Sequence, residues 1–228
     1  MRNLTSLLFA AGLAFFLLVI AARFDLGAAP MLIGNAILQE APEQTGAANI
    51  VTSVVLGYRG IDTLGEIAIL FTASLAAGLV LGRRRPEAAR DADSGAVLQI
   101  SAQLLFPLLL VVGFYIILHG HLTPGGGFQG GVILAAAFFL PLLARPGTSV
   151  NHAGLSLVEG LAGAGFILIG LLALFQGKAF LEPLLDKGTL GTLVSAGTLP
   201  LLYLAVGLKV GAELAGLLAN LADSEVDQ

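Results

Sequence analysis

The chain has 228 residues, of which 57% are hydrophobic and only 11% charged; its net charge is -4 and its mean hydropathy +0.92. This excludes a soluble domain and a nucleic-acid surface, and points to an all-α integral membrane protein. Cysteine and tryptophan are absent. That rules out disulfides, thiolate metal sites and cysteine nucleophiles, and leaves interface anchoring to Tyr58, Tyr115, Tyr203 and the basic residues.

A helix needs about 20 apolar residues to cross the hydrocarbon. Residues 4–22 are the first such run. Arg2 before it and Ala21-Ala22 after it imitate a signal peptide. The run is long for a signal core, however, and the rest of the chain is equally hydrophobic, so it is expected to remain as a span. Residues 23–48 are more polar and contain Pro30 and Pro42, with a short apolar piece at 31–38 suited to the interface. Residues 49–58 are too short to span and predict an interfacial helix or the start of the next one. The second span is 64–81, ended by Arg83-Arg84-Arg85.

The charged stretch 83–94 separates two halves of unlike composition. Spans three to five are predicted at 98–118, 128–144 and 155–175, with Arg145-Pro146-Gly147 breaking the chain between the last two. The sixth span is predicted from Leu190 to about Leu218, with Pro200 able to kink it. Six spans and an inside N-terminus put Arg2, Arg83, Arg84, Arg85, Arg90 and Arg145 on the cytoplasmic side, leaving Arg23, Arg59, Lys178 and Lys187 outside. The bias predicts both termini in the cytoplasm.

Between spans three and four lies His119-Gly-His-Leu-Thr-Pro-Gly-Gly-Gly-Phe-Gln-Gly-Gly131. Pro124, Gly125, Gly126, Gly127, Phe128, Gly130 and Gly131 are more than a loose turn requires. They predict a tight crossing packed against protein or water. It is not a phosphate loop, because no Lys-Ser/Thr follows the glycines. His119 and His121 lack a third ligand nearby, so no metal site is expected; a proton relay or hydrogen bonds to the loop backbone suit them better. Gly207 and Gly211, with Ala215, and the glycines at 160, 163, 165 and 170 predict close helix approach.

Ionisable residues inside spans tend to face a bundle interior or a wet path. Asp62 and Glu66 are four apart on one helix face, with Arg59 one turn before. Asp62, like Thr63, suits a helix N-cap; Glu66 points into the apolar run and suits a proton- or cation-binding carboxylate. Glu159 reads equally as a first-turn dipole partner or a functional acid. Lys209 and Glu213, four apart near the cytoplasmic end of the last span, read as an intrahelical salt bridge, or as a lysine that snorkels to the interface.

From about 98 to 221 the chain resembles the MnhB domain, which is one of the membrane subunits of Mrp-type multisubunit cation/proton antiporters. The residues that carry the likeness are Leu105-Phe106-Pro107, the run from Leu118 through the glycine hairpin to Ala137, Ser195-Ala196-Gly197-Thr198 and Val206-Gly207-Leu208-Lys209-Val210. Residues 4–81 are similar to the small MbhE-type domain, through Gly46-Ala47-Ala48-Asn49-Ile50-Val51-Thr52 and Tyr58-Arg59-Gly60-Ile61-Asp62-Thr63-Leu64-Gly65-Glu66. The expected layout is therefore an MbhE-like part with two spans (1–82), a linker (83–97), a four-helix MnhB-like part (98–222) and an acidic tail (223–228). The resemblance implies a non-redox subunit in a prokaryotic plasma membrane, with no cofactor. It would sit beside large antiporter-like subunits and near a path for H+ and Na+ or another monovalent cation. The same modules serve ion-pumping hydrogenases and related respiratory complexes, and the alternative to an ion-path role is a purely structural one, in which the glycine-rich helices hold larger subunits together.

Overall fold

The computed structural model describes residues 2–23, 31–81, 95–145 and 150–225. The Arg83–Arg85 cluster, Arg90, most of the linker and the end of the acidic tail lie outside them. Six helices are long and apolar enough to cross a membrane: α1 (Arg2–Arg23), α4 (Gly60–Leu81), α5 (Ala96–Leu118), α6 (Gly127–Ala144), α7 (His152–Phe175) and α8 (Leu199–Glu225). Between the first two of these lie α2 (Leu32–Thr45) and the one-turn α3 (Ile50–Thr52), which runs directly into a π-helical turn (Ser53–Tyr58). No strand occurs among the described residues.

Contacts divide the chain into two compact units, 1–37 and 38–228. In the first, α1 exposes its apolar side chains along its length. In the second, α8 is the hub: α4, α5, α6 and α7 all pack on it. Of its most apolar stretch 61% is buried, against 6% for α4 and 17% for α5. Thus α4, from the N-terminal half of the sequence, docks on the C-terminal bundle.

Glycine sets how closely the centre packs. A Cβ on Gly130 would strike Ile117 and the carbonyl of Gly113 on α5, and one on Gly207 would strike Ile117 as well. Three helices thus meet around one isoleucine, which is fully buried. Gly211 likewise lies against Leu134 and the Gly131 carbonyl, as the small-residue spacing predicts. The expectation for α7 holds only in part: Gly163 and Gly170 face packed side chains, whereas Gly160 and Gly165 face open space.

Residues 39–44, in the segment read as more polar, are helical, with Pro42 inside α2. One predicted boundary moves. The last helix begins at Leu199, nine residues later than the hydropathy run suggested. Residues 190–198 instead make turns, with Gly191, Ala196 and Gly197 at positive φ, and the Ala196 N–H donates to the Lys187 carbonyl (2.9 Å). Pro200 therefore lies in the first turn of α8, where a missing N–H removes no helix bond and causes no kink.

Candidate functional site

Polar chemistry collects at two places in the 38–228 unit. The first is the glycine hairpin between α5 and α6. Its backbone is held by side chains from the N-terminal half. Asn49 Nδ2 donates to the carbonyls of Gly120 (2.7 Å) and Thr123 (2.9 Å), and Thr52 Oγ1 donates to Gly120 O (2.7 Å). The Thr52 hydroxyl also shares a hydrogen bond with the Tyr203 hydroxyl (2.9 Å), and the Asn49 N–H donates to His121 O (3.0 Å). Carbonyls that a tight turn cannot pair within itself are satisfied in this way. Gly126, immediately before α6, has φ 133, and a Cβ there would lie 2.7 Å from the Tyr203 ring. Only glycine allows the turn to lie flat on that tyrosine.

The two histidines part company. His119 stacks on Tyr115, its ring 4.1 Å away, and its Nδ1 pairs with the Tyr115 carbonyl at 3.0 Å. His121 is fully buried, and neither ring nitrogen has a hydrogen-bond partner. Burial pushes the His121 imidazole below its ordinary titration range, against a weaker opposite pull from backbone groups of Thr192, Leu193 and Leu118. Among the described residues no group of three His, Cys, Asp or Glu side chains is arranged around a metal position.

The second place is a charged trio in which Lys209 and Glu213 are buried and Glu159 is half-buried. Lys209 Nζ on α8 lies 3.2 Å from Glu159 Oε1 on α7, in a hydrogen bond, and 3.3 Å from Glu213 Oε2, one turn further along α8. The contact with Glu213 is electrostatic only, since both Glu213 oxygens are buried without a hydrogen-bond partner. The Lys209 ammonium also sits over the Phe71 ring of α4, 4.9 Å from its centroid. Gly163 leaves room for the lysine stem: a Cβ there would touch Lys209 Cδ at 3.4 Å. Side-chain exposure is 10% for Lys209, 20% for Glu159 and 1% for Glu213.

Three sequence readings change here. With α8 starting at Leu199, Lys209 is about 15 Å along the helix at 1.5 Å per residue, at mid-span rather than near an end. Its ammonium is turned inward to two carboxylates and does not snorkel. The pair is not purely intrahelical either, since Glu159 joins it from α7. And Glu159 is two turns inside α7, past the reach of the helix terminus, so it is not a first-turn dipole partner.

The N-terminal candidates stand apart from the trio. Asp62 is the third residue of α4, which begins at Gly60, and is not its cap; it pairs instead with Arg59 at the surface. Thr63 is buried and donates to the Val55 carbonyl (2.9 Å). Glu66 is exposed on the outer face of α4, and no hydrogen bond or ion pair among the described residues links it to Lys209. The sequence suggests an interface anchor at Tyr203, but that side chain is buried against the hairpin and bonded to Thr52. Sequence reasoning gives no role to Phe71 or the Asn49–Thr52 pair. Asn49 and Thr52 are three apart and so lie on one side of a helical turn, a signal that was present; nothing local marks Phe71 or the buried role of Tyr203.

A family model described as "Domain related to MnhB subunit of Na+/H+ antiporter" matches residues 97–216, and the model for MbhE, a subunit of MBH, matches residues 3–94. An uncharacterized protein of Methanocaldococcus jannaschii is 34% identical over 196 residues, covering 74% of either chain. The chain is also similar to a subunit in the structure of the membrane-bound sulfane sulfur reductase, an archaeal respiratory membrane complex. There the TM-score is 0.84 at 38% identity, over 96% of this chain and 97% of that one. A chain of the Mrp complex from a Dietzia species matches with TM-score 0.76 at 26% identity; the match takes in 99% of this chain but only 26% of that longer one. The sequence carries the MnhB match over more than half its length, the helices follow the same course in both solved complexes, and the chain belongs to the family of domains related to the MnhB subunit of Na+/H+ antiporters.

Proposed function

We propose that this chain is a non-redox integral subunit of a multisubunit complex that exchanges Na+ or another monovalent cation for H+, working beside large antiporter-like subunits in a prokaryotic plasma membrane. The observation that carries this reading is the Lys209–Glu159–Glu213 trio, set at mid-span in a member of the MnhB family. Charge at that depth is expensive even when paired, and ionisable residues kept there commonly mark a path for ions or protons. The chain performs no bond-breaking chemistry of its own and holds no cofactor. Residues 1–82 act as an MbhE-like part and 98–222 as an MnhB-like part, joined at 83–97, with both termini in the cytoplasm. Glu66, with Asp62 and Arg59 close by, faces outward from α4, where a neighbouring subunit would meet it.

A second reading places the same subunit in a redox-driven respiratory complex. It is favoured by the near end-to-end match to a chain of the sulfane sulfur reductase, against partial coverage of the Mrp chain. Co-purifying chains separate the two: iron–sulfur subunits belong to the second reading only.

Everted membrane vesicles with a pH-sensitive dye test the proposal. Vesicles lacking this chain should lose cation/proton exchange, and the wild-type chain should restore it. Glu66→Gln should assemble normally yet exchange at least about tenfold more slowly, a loss of about 1.4 kcal/mol or more. Full exchange without the chain would sink the reading; full exchange in Glu66→Gln would remove Glu66 alone from the path.

A further inference from the structure

The trio does not balance its own charge. Two carboxylates and one ammonium leave one net negative charge at mid-span. Among the described residues the elements packed around it offer no further cation at that depth: α4 contributes Phe71 and Ser74, α7 contributes Ser156 and, at the exposed mouth, His152, and α8 contributes Asn220 and no second base. Lys209 donates a hydrogen bond to Glu159 but meets Glu213 only in an unaligned contact at 3.3 Å, so the acid less well met is Glu213. It is the most buried of the three, neither of its oxygens receives an aligned hydrogen bond, and the one cation near it is Lys209, 3.3 Å from Oε2. An ionised carboxylate in that position would leave several hydrogen-bond sites empty in low dielectric, which costs several kcal/mol.

A cleft of about 540 Å³ leads to it from the end of the bundle opposite the glycine hairpin. Its walls carry Ser74, His152, Ser156, Glu159 and Asn220, and Glu213 lies at its inner end. His152 and Ser156 are exposed, Asn220 is half-buried and Glu213 is buried, so exposure falls along a polar approach. A chain of polar groups reaching a buried carboxyl is suited to carry a proton by way of water. It suits a metal cation poorly. The Lys209 ammonium, 3.3 Å from Glu213 Oε2 and 3.2 Å from Glu159 Oε1, would repel one from both carboxylates.

We propose that Glu213 holds a single exchangeable proton that neutralises the trio, and that this proton trades with the aqueous phase through the α4–α7–α8 cleft. In this state Lys209 and Glu159 form the ion pair while Glu213 is a neutral acid. Releasing the proton leaves a bare carboxylate beside Lys209, which then has two anions to share. The trio becomes a loading point where proton occupancy is coupled to how Lys209 divides itself between α7 and α8. This deepens the proposed ion path and rests on it for its physiological role, though the proton itself is detectable without any transport.

Infrared difference spectroscopy on the purified intact complex reads the proton directly. Wild type minus Glu213→Gln at neutral pH should show one protonated-carboxyl C=O band, which shifts down in heavy water. Glu159→Gln removes the excess charge and frees Lys209 for Glu213, so it should weaken or abolish the band, whereas Glu159→Asp, which keeps both charges, should leave the band at its wild-type frequency. Glu213→Asp should move it rather than abolish it, and covers the case in which the glutamine variant fails to assemble. Adding Na+ at fixed pH should leave it in place. Absence of the band, its shift in Glu159→Asp instead of Glu213→Asp, its full persistence in Glu159→Gln, its bleaching by Na+, or its failure to exchange with heavy water would each overturn the proposal. If the band is present but cation exchange is normal in Glu213→Gln, the proton site stands and its role in the ion path falls.

Discussion

At the hairpin end, Asn49, Thr52 and Tyr203 meet the turn's carbonyls with well-formed hydrogen bonds, and glycine removes every Cβ that would hold the layers apart. At mid-span, α7 and α8 bring together three charges of which one acid has no hydrogen bond at all. The first arrangement fixes a single geometry, because each bond lost would strand a buried polar group. The second keeps an imbalance that a proton can settle in more than one way. A rigid clasp at one level and an unsatisfied charge at another are what a subunit needs if it must hold its helices still while a charge state changes between them.

The comparison breaks most severely at Gly126. Gly126→Val adds a branched side chain at φ 133 against the Tyr203 ring, and should abolish accumulation in the assembled complex, seen as loss of the band on a native gel. Normal assembly would mean that the turn is not sterically fixed. Next in size is Lys209→Met, which strands Glu159 and Glu213 without a cation. We expect about 3–5 kcal/mol of lost stability, as a fall in the thermal midpoint of the complex, with Lys209→Arg recovering a good part of it. A melt unchanged by Lys209→Met would show that the lysine carries no structural charge.

Asn49→Ala probes the clasp more gently. It removes two donors to the hairpin and the acceptor for the Val51 N–H, and about 2 kcal/mol should go, again read by melting. Because Thr52 still reaches Gly120, assembly should survive. The smallest effect is that of acid on His121. Its folded imidazole titrates below the ordinary value of 6.5, so the unfolded chain binds more protons as pH falls beneath that value. Stability is therefore fully present above about pH 6.5 and declines below it, by at most about 1.4 kcal/mol per pH unit until the folded imidazole itself titrates. His121→Gln should flatten that slope; an equally steep slope in the variant would place the acid sensitivity elsewhere.

Apolar runs of spanning length predicted all six long helices, because in lipid a helix must satisfy its own backbone and length alone identifies it. The glycine hairpin could be read as a packed crossing for a similar reason: no loose loop needs so many residues without a Cβ. The start of α8 could not be read that way. Leu190, Leu193 and Val194 are apolar enough to extend the run, but turns with positive φ at Gly191, Ala196 and Gly197 lay them outside the helix.

That nine-residue difference carried Lys209 from the edge of the span to its middle and changed what the lysine does. Sequence by itself determined the class of the protein, the number of long helices, the close-packing glycines and the family. Only the tertiary structure decided that α4 docks on α8, that Asn49 and Thr52 clasp a loop some 70 residues away, and that Glu159 meets Lys209 across two helices. The physical reason is one of range. Helix formation and hydropathy depend on neighbours within a few turns, whereas a buried charge takes its partner from whichever helix the packing of small residues brings alongside.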